Sequence, residues 1–275
     1  FSAELANGVI PASWGDPFRW FLDLTKIPKV AICHGTPAFE GQYGLDPARK
    51  HEFIIYEDRR RALVERLASA GVSVVCNSWH ALEEWGFKNS RVIWHGFDPQ
   101  EFPPGTYRRD VLCLDADPYR PHYRGAWELA MVRERLNPEI RVETARHFGA
   151  PLEVRDTNPF AVRNFRSYVD RIRQFKVYLN TTLRSPMPRS RGEAMMTGVI
   201  PVCLNNHDVA RFIVQGENGF FADDPGELAD YVNYLCGNQS AAARIGAQAR
   251  RTALEVFNHD LYLANWARQL GELAR

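Results

Sequence analysis

The sequence has no apolar run near the roughly 18 residues that a membrane-spanning helix needs, and no secretory signal pattern is visible. It also lacks any C-x-x-C pair. Its five cysteines (Cys33, Cys76, Cys113, Cys203 and Cys236) are odd in number and scattered, which argues against a zinc knuckle or a disulfide framework. Four of them sit in apolar, strand-like runs, where a free thiol behaves as a small hydrophobe. This usage predicts a reducing, cytoplasmic compartment. Neither sign of charge is in excess: 34 Lys and Arg stand against 33 Asp and Glu, leaving a net charge of +1. That balance gives no broad cationic field of the kind a non-specific nucleic-acid binder presents, although a local basic patch is compatible with it. No internal repeat or low-complexity stretch is evident. The histidines other than His34 (His51, His80, His95, His122, His147, His207 and His259) have no metal-ligand spacing.

What is present is the composition of a globular enzyme, 45% apolar and 24% charged over 275 residues, long enough for one large domain or two ordinary ones. Short apolar runs alternate with helical patterns. The strand-like segments are 29–33, 72–76, 91–94, 111–114, about 152–155, 176–179 and 199–204. Helices are predicted over 61–70, stopping at Gly71, and over about 126–136 and 161–174. Further helices are predicted from Ser190 onward and near 225–236, 239–256 and 259–274. Asn77 or Ser78 is expected to cap the helix that follows the strand 72–76. Buried-looking strands alternating with helices imply parallel sheets covered on both faces.

Residues 99–109, rich in Pro and Gly, read as an interdomain linker. The expected organisation is an N-terminal Rossmann-like domain over 1–105, a second one over 106–258, and a C-terminal helix, 259–275, packing back towards the first. The chain starts at Phe1, so the N-terminal domain is expected to be short or truncated.

The stretch richest in chemistry is Ser185 to Asn218: a polar loop, a short helix bearing Glu193, a turn at Gly198 and a buried strand. Amides of the loop and of the helix N-terminus, around Ser190, Arg191 and Gly192, would offer donors and a positive dipole to phosphate oxygens. Glu193 could accept hydrogen bonds from a diol such as a ribose. Arg189 and Arg191 add charge with bidentate geometry. A Glu-Ala-Met-Met run opening a helix is equally what an ordinary capped helix looks like, and the residues alone leave both readings open.

This segment resembles the donor-site signature of glycosyltransferase family 4, retaining enzymes of the GT-B fold. Glu193-Ala194-Met195, Gly198, Pro201 and Val202 match it, and Gln215 to Gly219 is similar to the family's downstream turn. Ala241 to Phe257 resembles its arginine-rich penultimate helix. The resemblance implies an α/β protein of two Rossmann-like, doubly wound domains facing a central cleft. It makes Glu193 the ribose ligand. The glutamate expected eight positions earlier, which contacts the donor hexose in the family, is here Ser185. Arg120 and Arg124-Gly125 match the cations that clamp the diphosphate, a solvated basic loop being the plainer alternative. His34, after a strand of the N-terminal domain, matches the histidine near the reacting sugar, although a lone histidine there is equally compatible with a structural role. Glu40 and Gln42, in the loop that follows it, could line the acceptor side. His95-Gly96-Phe97-Asp98 reads as hinge structure.

Asp115-Ala116-Asp117 has the form of a metal-holding D-x-D motif, but its place in the chain favours a loop turn, and no metal or other cofactor is expected. Arg59, Arg60, Arg61 and Arg66 form a basic helical face, read first as solvated and secondarily as a peripheral contact with an anionic membrane. The implied activity is transfer of a hexose-type sugar from a nucleoside-diphosphate sugar to a hydroxyl acceptor, with retention. The acceptor is left open among polysaccharide, lipid, small molecule, protein and modified DNA. Two other readings stand beside it: a sugar-nucleotide epimerase of the same fold, and a non-catalytic sugar-nucleotide or glycan-binding paralogue, which Ser185 favours.

Overall fold

A computed structural model describes residues 2–5, 27–37, 57–114, 116, 124–144 and 165–274. The chain divides into two units: Phe1–Trp94 with Arg184–Met187 and Asp260–Arg275, and His95–Leu183 with Pro188–His259.

In the first unit, strands β1 (Ser2–Leu5), β2 (Lys29–Cys33), β3 (Val72–Cys76) and β4 (Ser90–Val92) lie side by side in that order, all parallel. Side chains alternate across a strand, so β2 and β3 each feed two cores. Ala31, Cys33, Val74 and Cys76 pack with Leu63, Val64 and Leu67 of helix α1 (Glu57–Ser69) and with Trp85 of helix α2 (Trp79–Trp85). Val30 and Val75 pack instead with Tyr262, Trp266 and Leu273 of the C-terminal helix His259–Leu273. Each buried aliphatic of α1 contributes about 1.5–3 kcal/mol. Ser78 is the cap of α2, its Oγ accepting from the Ala81 amide at 3.1 Å, and Gly86 at φ 69° ends the helix.

The second unit holds β5 (Arg109–Cys113), β6 (Val142–Thr144), β7 (Phe175–Asn180), β8 (Ile200–Leu204) and β9 (Phe220–Ala222), parallel in the order β6-β5-β7-β8-β9. Among the described residues, five helices belong to it: α3 (Ala126–Arg135), α4 (Phe165–Ile172), α5 (Arg189–Met196), α6 (Pro225–Gly237) and α7 (Gln239–Val256). Val111, Cys113, Val177, Leu179 and Val202 share a core with Leu129 and Val132 of α3 and with Leu228, Val232 and Leu235 of α6. Leu112 and Tyr178 join a second core with Ile172 of α4 and Ala194 of α5. Both sheets are therefore covered on two faces, and the second, whose strand order reverses at β5, is doubly wound.

The expected strands at 29–33, 72–76, 111–114, 176–179 and 199–204 fall within one or two residues of β2, β3, β5, β7 and β8. The strands β1, β6 and β9 carry no long apolar run and were not expected. The strand expected near 152–155 and the start of the helix expected from 161 lie outside the described residues. Among the described residues, no helix is long and apolar enough to cross a membrane.

Candidate functional site

The order β6-β5-β7 places a topological switch point in the second sheet. After β5 the chain moves to β6 on one side, and β7 returns on the other side of β5. The segments leaving the C-terminal ends of β5 and β7 therefore part from each other there, which is where open α/β sheets bind ligands. The first of these segments leads to Arg124 and α3, and the second leads to α5 and Glu193.

Arg124 is half-buried and precedes Gly125, the N-cap of α3. Gly125 has φ 65°, and a β-carbon on it would lie 1.6 Å from the Thr181 carbonyl oxygen. Only glycine fits both constraints. Thr181, just past the end of β7, donates from Oγ to the Gly125 carbonyl at 2.8 Å. The turn carrying Arg124 is thus tied directly to the end of β7, across the switch point.

Helix α5 begins after Pro188 with no side chain capping its N-terminus, and the Arg191 amide donates to the Pro188 carbonyl at 3.2 Å. Glu193 lies one turn in and is 4% exposed. Its carboxylate accepts from the Tyr168 hydroxyl at Oε2, at 2.8 Å, and from Arg189 Nε at Oε1, at 3.3 Å. The Arg189 side chain is 58% exposed, and its guanidinium carbon sits 5.2 Å from the centre of the Phe97 ring.

The neighbours of Glu193 play different parts. Ser190 shares a 2.7 Å hydrogen bond with the Tyr178 hydroxyl, to which Asn180 Nδ2 donates at 3.3 Å. Arg191 is fully buried, its guanidinium 5.3 Å from the centre of the Phe212 ring. Gly192 makes room for Phe97, whose Cε2 would be 2.5 Å from an added β-carbon. Phe97 in turn packs edge-on against Phe102 and Phe257, and its amide donates to the Phe257 carbonyl at 3.0 Å. The downstream turn is held by Asn218, which binds the Val214 amide, the Phe212 carbonyl and the Thr252 hydroxyl.

In the first unit, His34 follows β2, half-buried, and its carbonyl accepts from Asn77 Nδ2 at 3.4 Å. The loop after it is braced at Gly35, whose carbonyl accepts from Trp85 Nε1 at 2.8 Å and from the Cys33 thiol at 3.1 Å. Ser185 is half-buried in the segment Arg184–Met187 of this same unit. Its neighbour Arg184 grips the Glu84 carboxylate with both terminal nitrogens, at 3.0 and 2.7 Å, and reaches the Pro37 carbonyl at 2.8 Å. His80 Nε2 stands 3.0 Å from the same carboxylate. The basic face on α1 is modified at Arg60, whose Nη1 donates to the Trp85 carbonyl at the end of α2.

Arg120, Asp115, Asp117, Glu40 and Gln42 lie outside the described residues. Among the described residues, no group of three or more His, Cys, Asp or Glu side chains is arranged to hold a metal ion. Sequence reasoning missed Tyr168, which stands 25 positions before Glu193 and has no local motif to mark it. It also missed the switch point, because β6 is only three residues long.

The two parallel-sheet units have the fold of the GT-B glycosyltransferases. Among solved structures, the chain is similar to Anabaena Alr3699/HepE in complex with UDP and glucose, with a TM-score of 0.68 and 17% identity, over 89% of this chain and 72% of that one. It is similar to sucrose-phosphate synthase from Thermosynechococcus elongatus, with a TM-score of 0.67 and 15% identity, over 89% and 67%. It is also similar to a glycosyltransferase from Rickettsia africae, with a TM-score of 0.64 and 13% identity, over 97% and 84%. No protein-family model and no curated protein matches the chain.

Proposed function

We propose that the protein is a glycosyltransferase that takes a hexose-type sugar from a nucleoside-diphosphate sugar and passes it to a hydroxyl acceptor, with retention at the anomeric carbon. The observation that carries this reading is the switch point of the second sheet. A cation, Arg124, stands on one of the two diverging segments, and a buried carboxylate on an uncapped helix, Glu193 on α5, stands on the other. The solved complexes of HepE with UDP-glucose and with UDP and glucose support the same ligand class.

In this reading Glu193 accepts the ribose hydroxyls, and the first amides of α5 with Ser190 meet the distal phosphate. Arg124, with Arg120, stabilises the charge that gathers on the diphosphate as its bond to the anomeric carbon breaks. These groups neutralise the leaving group without a divalent cation. The Arg191 side chain is buried over Phe212 and Gly192 packs on Phe97, so in this reading both serve the donor from the backbone of the helix N-terminus rather than through a side chain. His34 takes the position beside the reacting sugar that the resemblance gives it.

Ser185 favours a second reading, a binding protein without turnover, because a serine replaces the carboxylate expected at the hexose. One assay separates the two. The protein is incubated with a panel of nucleotide sugars, and nucleotide release is followed with and without hydroxyl acceptors. Acceptor-dependent release supports transfer, and tight binding with no release supports the binding protein. Isomerised donor, with no need of an acceptor, would instead indicate an epimerase.

A further inference from the structure

Resting on the transferase reading above, in which His34 stands beside the reacting sugar, we propose that Trp85 is the positioning residue that sets His34. His34 leaves the carboxyl end of β2, and three successive carbonyls there are held from neighbouring elements. The Cys33 carbonyl accepts from the Asn77 amide at 3.1 Å, and the His34 carbonyl from Asn77 Nδ2 at 3.4 Å. The Gly35 carbonyl accepts from Trp85 Nε1 at 2.8 Å, across 50 positions of sequence.

These holds are unequal. The contact from Asn77 Nδ2 is longer than the range of about 2.7–3.2 Å common for such bonds, and grips weakly. The Cys33 thiol also reaches the Gly35 carbonyl, at 3.1 Å, but a thiol is a weak donor. The indole bond is short and buried, and its donor sits on a rigid ring. Trp85 is 1% exposed and stacks on Phe87, with ring centres 5.3 Å apart. Its own carbonyl accepts from Nη1 of Arg60, which reaches across from α1. Gly86 leaves space for this, since a β-carbon there would lie 3.3 Å from that nitrogen. The ring, the main chain and the indole N–H of Trp85 are therefore fixed together. A phenylalanine in this place would fill most of the ring space and leave the Gly35 carbonyl with the thiol alone. Trp85 acts through the main chain at Gly35, and Arg60 acts through Trp85.

The test is nucleotide release by wild type, Trp85→Phe and His34→Ala, from UDP-glucose, GDP-mannose or ADP-glucose with glycerol or water as acceptor. Displacing a reacting group by about 1 Å costs on the order of 100-fold in rate, so Trp85→Phe should lower kcat by about tenfold or more. The KM for the donor should not change, because the groups assigned to the nucleotide stand on the second unit. In a His34→Ala background, Trp85→Phe should have no further effect. By NMR, the His34 imidazole signal, identified by its loss in His34→Ala, should move in Trp85→Phe. Arg60→Met keeps the indole itself, and should move kcat and that signal in the same direction by less, which also covers a Trp85→Phe protein that does not fold. Wild-type kcat in both variants, or losses that add to that of His34→Ala, would overturn the proposal. A wild type that releases no nucleotide, or a fully active His34→Ala, would instead overturn the reading on which it rests.

Discussion

Thr181 holds Gly125 from two directions: its hydroxyl donates to the Gly125 carbonyl at 2.8 Å, and its own carbonyl fills the space where a Gly125 side chain would begin. The contact closes the two segments of the switch point onto each other and sets where Arg124 stands.

Gly125→Ala is accordingly expected to destabilise the protein by about 2–4 kcal/mol, through overpacking against backbone and strain at positive φ. Chemical denaturation of the variant beside wild type measures this. A variant with an unchanged midpoint would show that the turn is not locked as described.

Glu84 is expected to contribute to the acid sensitivity of the first unit. Burial raises its carboxyl, but hydrogen bonds from His80 and Arg184 and their charges outweigh this and hold it below the usual carboxylate range. A carboxylate whose folded value is depressed gives stability that is present above its unfolded value and is lost as pH falls through the folded one. Glu84→Gln should cost about 1–3 kcal/mol at neutral pH, and the gap from wild type should close as pH falls below about 4. Thermal melts of both proteins from pH 7 to pH 3 read this directly. A gap that stays constant with pH would contradict it.

The five thiols should be inert in the native protein. Cys33, Cys76, Cys113 and Cys203 are buried. The hydrogen bond that the Cys76 thiol shares with Cys33, then burial, pushes Cys76 far up. Burial pushes Cys236 up to about 11. At neutral pH its thiolate fraction is then on the order of one in ten thousand. Titration with a disulfide reagent should show no fast-reacting thiol at pH 7 and five after denaturation. A rapid single equivalent from native protein would contradict this.

The strands that feed both faces of a sheet were legible in the sequence, because β2, β3, β7 and β8 are continuous apolar runs with no competing helical period. Helices α6 and α7 were legible for a related reason. Asp224 with Pro225 opens α6, and Asn238 opens α7, each as a side-chain cap. Edge strands such as Val142–Thr144 were not legible, since three half-buried residues carry no periodic signal. In the candidate site, Glu193 and Arg124 could be picked out by motif. The burial of Arg191 could not: a charged residue beside a predicted phosphate site gives no sequence sign that its guanidinium will lie over Phe212. Tyr168 was hidden for a similar reason, because its partner comes from another helix and only the core shared by Ile172 of α4 and Ala194 of α5 brings them together.

The most direct test of the whole account is the affinity of wild type and Glu193→Ala for nucleoside diphosphates, measured by calorimetry with UDP, GDP and ADP. The account predicts that wild type binds at least one of them and that Glu193→Ala weakens that binding by about tenfold or more, the loss of a buried acceptor to the ribose. Binding that is equally tight in Glu193→Ala would contradict it.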